Sequence, residues 1–115
     1  MAQFAVGSTG NDVLRSTLED ASAEGLDALV YTHPIGLHGH AAGPSIGLWD
    51  KQNGVPGQGD YALHPWTAYS IELQVRTAIP EWDGQIVQAM LEEDAWFDGE
   101  TCTFLDGRQT ELWLI

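Results

Sequence analysis

The sequence predicts an α+β domain in which one main helix packs on an antiparallel sheet. Three observations carry that expectation. Val13, Leu14, Leu18 and Ala21 recur at helical spacing behind the start Thr9-Gly-Asn-Asp12. Tyr69 to Arg76 alternates strictly, with Tyr69, Ile71, Leu73 and Val75 facing one way and Ser70, Glu72, Gln74 and Arg76 the other. Asp-Gly dipeptides at 83–84, 98–99 and 106–107 cut the second half of the chain into strand lengths. A chain of 115 residues suits a single domain, 1–115. Its 43% hydrophobic content and 5 Trp supply enough large apolar pieces for a core.

Residues 1–8 read as a short lead-in. The helix is expected over about residues 11–24, with Thr9 or Asn11 as cap, Asp12 in the first turn and Gly25 as its left-handed stop. Leu26 to Tyr31 reads as a strand or an extended connection. From 42 to 66, Gly and Pro recur and no period survives, so an ordered loop is expected, anchored by Trp49, Tyr61, Leu63 and Trp66. His64, next to Pro65, reads as a surface residue. The alternation predicts a strand over 68–77, which Pro80 ends. Gln85 to Phe97 fits either a strand or a helix, and the flanking Asp-Gly turns favour a strand over 87–97. Thr101 to Leu105 is a further strand. Asp106-Gly107 fits a hairpin turn, and Arg108 to Ile115 is expected to return as the last strand of a sheet that includes 101–114.

Charge narrows the function. There are 17 Asp and Glu against 4 Lys and Arg, a formal net charge of −13. Nucleic acid is an unfavourable partner, because its phosphates need cationic neutralisation. An anionic membrane surface is unfavourable for the same reason. Divalent cations are compatible, although an acidic surface also serves solubility. The single Cys102 precludes an intrachain disulfide and a Cys-rich zinc site, and its setting in Thr-Cys-Thr-Phe-Leu reads as a small buried strand residue. No leader or transmembrane run is evident, so a cytoplasmic location is expected.

The chemistry concentrates in Tyr31 to Pro44, which holds His33, His38 and His40 with three glycines, Gly36, Gly39 and Gly43. Imidazole is a common ligand for divalent metals, and glycine lets backbone approach an ion or substrate. Glu72 and Glu92 lie on strand-like segments and can complete a site with one of these histidines. A glycine-rich loop with surface histidines is the competing reading. Three adjacent acids at Glu92-Glu93-Asp94 are costly inside a strand unless cations or hydrogen bonds offset them.

The order His33-Pro-Ile-Gly, then Gly39-His40, then Tyr-Ser-Ile-Glu72-Leu, then Leu-Glu92-Glu-Asp-Ala-Trp-Phe-Asp-Gly99 resembles the C-terminal half of the pita-bread metallopeptidases: Xaa-Pro aminopeptidase, prolidase, methionine aminopeptidase and creatinase. The similarity runs from about Val6 to Leu114. It implies half of a pita-bread fold and a dinuclear divalent-metal site. By motif position His40 resembles the metal histidine, with His38 the competing assignment. Glu72 resembles the first metal glutamate, and Glu92 the bridging one, with Glu93 as fallback. His33 resembles the histidine that contacts a peptide substrate. Such oxygen-rich sets with one imidazole suit Mn, Co, Fe or Zn.

Two departures limit the resemblance. The family's two Asp ligands lie upstream of the metal histidine, and no Asp before His40 qualifies here. Asp12 and Asp20 are on the expected helix, and Asp27 begins a connection. Trp49 stands where a further family histidine is expected. The implied activity is therefore dinuclear-metal peptide hydrolysis by ancestry, with this chain inactive alone. The alternative is a non-catalytic half-domain that dimerises and binds a metal or small ligand. Because the family domain has two similar halves about a pseudo-twofold, a single half is expected to form a homodimer, with apolar Leu112 to Ile115 as a contact.

Overall fold

A computed structural model describes residues 1–111, 113 and 114. Helix α1 spans Gly10–Ala23. It is followed by β1, Asp27–Gly36; β2, Gly39–His40; β3, Thr67–Ile79; β4, Gln85–Phe97; and β5, Cys102–Phe104. The five strands form one sheet in the order β2-β1-β3-β4-β5, with every neighbouring pair antiparallel. The fold class is thus α+β, with one α-helix among the described residues. No helix among them is long and apolar enough to cross a membrane.

Thr9 supplies the helix cap. Its hydroxyl accepts from the Asp12 backbone N–H at 3.1 Å, and the Asp12 carboxylate accepts from the Thr9 N–H at 3.0 Å, completing a capping box. Asn11, the other cap candidate, reaches the long loop instead. Its amide donates to Asp60 at 2.8 Å, and its carbonyl accepts from the Val55 N–H at 2.8 Å. Gly25, at φ +75, ends the helix in the left-handed region.

The helix buries Val13 and Leu14 against one face of the sheet. Antiparallel register decides which residues share that face. Val30 pairs with Leu73, Thr32 with Ile71 and Pro34 with Tyr69. Across the next ladder, Ile71 pairs with Glu93 and Tyr69 with Ala95. Directly opposed residues project to the same side, so Val30, Thr32, Tyr69, Ile71, Glu93 and Ala95 look towards the helix. Phe4, Ile46, Leu63 and Phe97 complete the core. Burial pushes the Tyr69 phenol up to about 12, with the Cys102 thiol adding to the rise and the Thr67 hydroxyl partly opposing it.

Several expectations are corrected. Phe4, in the supposed lead-in, is a core residue that packs edge-on against Tyr69 and Phe97. No tryptophan is in the core. Trp49, Trp66, Trp82 and Trp113 are exposed, and Trp96 lies half-buried beside Trp66, their rings 5.9 Å apart. The long loop is anchored by Leu63, as expected, but otherwise by Ile46 and Val55 rather than by Trp49, Tyr61 and Trp66. The strand expected over 108–115 does not form at Arg108–Glu111, Trp113 or Leu114, while Leu112 and Ile115 lie outside the described residues. The two Asp-Gly turns explain the difference. Asp83 and Gly84 both take positive φ, at +51 and +77, and close the β3–β4 hairpin. At 106–107 only Gly107 does so, which is incompatible with a two-residue type I′ turn.

Gly47 sits at φ +74 where an added Cβ would collide with the Val30 carbonyl oxygen. Gly47→Ala is therefore expected to cost more than about 3 kcal/mol in urea denaturation, combining backbone strain with a steric clash. The Thr9 backbone and hydroxyl, with Arg15, hold the Asp12 carboxyl down to about 2. Its capping contribution is fully present above the ordinary carboxylate value and is lost as pH falls through about 2. Denaturation across an acid pH series should show that loss in the native chain and a smaller one in Thr9→Ala.

Candidate functional site

The face of the sheet away from the helix carries the polar residues. Tyr31 stands opposite Glu72, and Glu72 opposite Glu92. One pair along, His33 stands opposite Ser70, and Ser70 opposite Asp94. Two rows from three strands thus form a polar grid. It lines an open cleft of about 460 Å³ that also takes in Ile35, Gly39 and His40.

The histidine stretch is a hairpin rather than a free loop. β1 continues through His33 to Gly36, and β2 pairs back with Ile35 opposite His40 and Gly36 opposite Gly39. Gly39 takes φ +88 to permit the reversal. This fold-back stacks the His40 ring on the His33 ring, with centroids 3.8 Å apart and planes 11° from parallel. The Tyr31 hydroxyl lies 3.3 Å from His40 Nε2.

His33 is buried and its ring is held at both nitrogens. Nδ1 lies 3.0 Å from the Pro34 carbonyl oxygen and Nε2 lies 3.0 Å from Glu72 Oε1. A carbonyl only accepts, so the partners assign a proton to Nδ1. Nε2, the other ring nitrogen, faces the Glu72 carboxylate. Glu92 is engaged separately: its Oε1 accepts from the Ser70 hydroxyl at 2.8 Å. Hydrogen bonds therefore address each glutamate of an opposed like-charged pair, an arrangement otherwise unfavourable.

All four residues singled out from the sequence, His33, His40, Glu72 and Glu92, line this cleft. Glu93 does not. It projects to the helix side of the sheet, where its Oε1 accepts from the Gln109 N–H at 3.3 Å. His38 is exposed at the hairpin tip. Three lining residues were not anticipated as site residues: Tyr31, Ser70 and Asp94. Alternation could have found two of them, since Ser70 is two residues before Glu72 and Asp94 two after Glu92. Tyr31 needed the β1–β3 register. Next to the grid is an apolar recess of about 300 Å³, lined in part by Leu29, Trp49 and Met90 and sharing Tyr31, Glu72 and Glu92.

The donors suit a hard divalent cation by type: three carboxylates and two imidazoles line the cleft. Among the described residues, no three His, Cys, Asp or Glu side chains already stand in an arrangement that could hold an ion. Cation binding therefore requires side-chain rearrangement within the cleft. No family model matches the chain, nor does any curated protein or solved structure.

The paired carboxylates respond oppositely to neutralisation. Glu72→Gln disturbs a half-buried bond to His33 and should cost about 1–3 kcal/mol. Glu92→Gln relieves the opposed charge while leaving an oxygen for Ser70, and should be neutral or stabilising by about 0.2–1 kcal/mol. Urea denaturation in the presence of a chelator measures both.

Proposed function

We propose that this chain is one half of a pita-bread-type metallopeptidase domain whose cleft binds a divalent cation but does not hydrolyse peptides by itself. The observation that carries the reading is the direct opposition of Glu72 and Glu92 on the sheet face away from the helix, with His40 and His33 brought beside them by the β1–β2 hairpin. The sequence resemblance expects metal glutamates, a metal histidine and a substrate histidine from these four residues, and their sharing one cleft supports that reading. Asp94 adds a third carboxylate to the same wall.

Glu72, Glu92 and His40 would hold the ion, with Asp94 in the same cleft as a reserve carboxylate. A bound ion would supply Lewis-acid polarisation of a carbonyl and a more acidic water. With Glu72 on the ion, His33 would keep its Nδ1 bond to the Pro34 carbonyl and turn Nε2 to a substrate. The upstream Asp pair of the family has no counterpart here, so a second metal position is incomplete. A second reading, a half-domain that binds a small ligand without turnover, is favoured by the His33–Glu72 bond, which already satisfies one carboxylate without a cation.

Thermal denaturation with added Mn, Co or Zn, paired with calorimetric titration, tests the metal. A cation at about 100 times its dissociation constant should stabilise the chain by about 2.7 kcal/mol, and Glu92→Ala should remove most of that gain. No stabilisation by any of the three would remove the metal reading and leave the second. Turnover of an Xaa-Pro dipeptide should be absent or very slow with every metal. Robust Mn- or Co-dependent cleavage that Glu92→Ala abolishes would instead make this chain a complete enzyme.

A further inference from the structure

We propose that the outer edge of β4 is a self-pairing surface, joined to the same edge of a second copy of this chain by an antiparallel twofold contact. The two edges of the sheet are treated very differently. Along β1 the outer backbone is occupied from Val30 to Gly36. The Gln52 side chain acts as a surrogate strand there: its Oε1 accepts from the Val30 N–H at 3.0 Å, and its Nε2 donates to the Val30 carbonyl at 2.9 Å. Thr32 and Ile46 exchange two backbone bonds, at 2.9 and 2.8 Å, and the Ala41 N–H donates to the Pro34 carbonyl at 2.9 Å. β2 covers Ile35 and Gly36.

The other edge is covered only in part among the described residues. β5 pairs only with Ala95, Trp96 and Phe97, and the Leu105 N–H reaches the Asp94 carbonyl. From Gln85 to Glu93, no strand among the described residues lies alongside the outer edge of β4. Exposed strand edges usually carry devices against pairing, such as lysine, proline or a bulge. This one has none. Gly84 to Leu91 contains no charged residue and no proline, and Ile86, Met90 and Leu91 are 56%, 71% and 61% exposed. Its pairing with β3 is unbroken in register from Thr67–Phe97 to Ile79–Gln85, so no bulge interrupts it.

Charge selects the occupant. A chain of net charge −13 can meet a copy of itself only where charge is missing, and the neutral eight-residue stretch spans roughly 26 Å of strand. An antiparallel edge is its own complement, because a twofold axis brings the same backbone donors and acceptors face to face. The stretch is bounded by Glu81 and Asp83 at one end and by Glu92, Glu93 and Asp94 at the other. The twofold places the first group of one copy near the second group of the other. The rim is therefore repulsive, and added salt strengthens the contact by screening it. With β1 blocked, pairing stops at two copies.

Sedimentation of the full chain at micromolar concentration and moderate salt tests this. A dimer that tightens with salt is expected. Ile86→Glu combined with Met90→Glu, both at solvent-facing side chains, should give a monomer with unchanged circular dichroism, while Leu37→Glu at the far hairpin tip should leave the dimer intact. Hydrogen exchange should show amides in 86–91 protected in the dimer and released on dilution. A wild-type monomer throughout the range would overturn the proposal. So would a dimer that survives the double substitution but yields to Trp113→Glu, or assembly that continues beyond two copies.

Discussion

The register of β3 between β1 and β4 is the constraint on which the rest depends. Strand side chains alternate faces, so a slip of one residue would exchange the core and the cleft. In the observed register Tyr69 and Ile71 meet the helix, while Ser70 and Glu72 meet His33, Tyr31, Glu92 and Asp94. Burial of Tyr69 and Phe97 holds that choice in place. The same choice forces two glutamates to face each other. The Ser70 hydroxyl and the His33 ring answer that electrostatic cost locally.

The long Gly- and Pro-rich segment is the clamp on this arrangement. It fills the core with Ile46, Val55 and Leu63. It also bonds to the helix through Asn11 and to β1 through Gln52 and Ile46. Such a segment can lack periodicity and still be ordered, because its backbone groups find partners on the elements it crosses. Where it passes Val30, only Gly47 fits. The cleft is therefore built on a sheet whose far face is tied down twice, by the helix and by the loop.

The outcome differs from element to element for physical reasons. Residues 10–23 were legible because cap, apolar stripe and glycine stop agree. Residues 69–76 were legible because alternation admits only one secondary structure. The tryptophans misled because size says how much surface a side chain can bury, not which side of a strand it leaves from. Trp96 follows Ala95 and precedes Phe97, both fully buried, so alternation turns it away from the core. The 106–107 turn misled because a dipeptide permits left-handed φ without requiring it. His33 and His40 read as loop residues because the glycines around them signal turns, whereas here they permit a tight hairpin that continues the sheet.

The sequence by itself determined the α+β class, the helix, the two long strands, and the presence of Glu72 and Glu92 on strand segments. These follow from interactions within a few residues, where propensity and period act alone. Only the tertiary structure decided that Glu72 opposes Glu92 rather than Glu93, that His40 stacks on His33, that Tyr31 and Asp94 join them, and that Gln52 bonds to one sheet edge while no strand among the described residues pairs with the other from Gln85 to Glu93. Those depend on pairings between residues far apart in the chain. Such pairings are set by which faces bury together, a global balance that no local pattern of residues encodes.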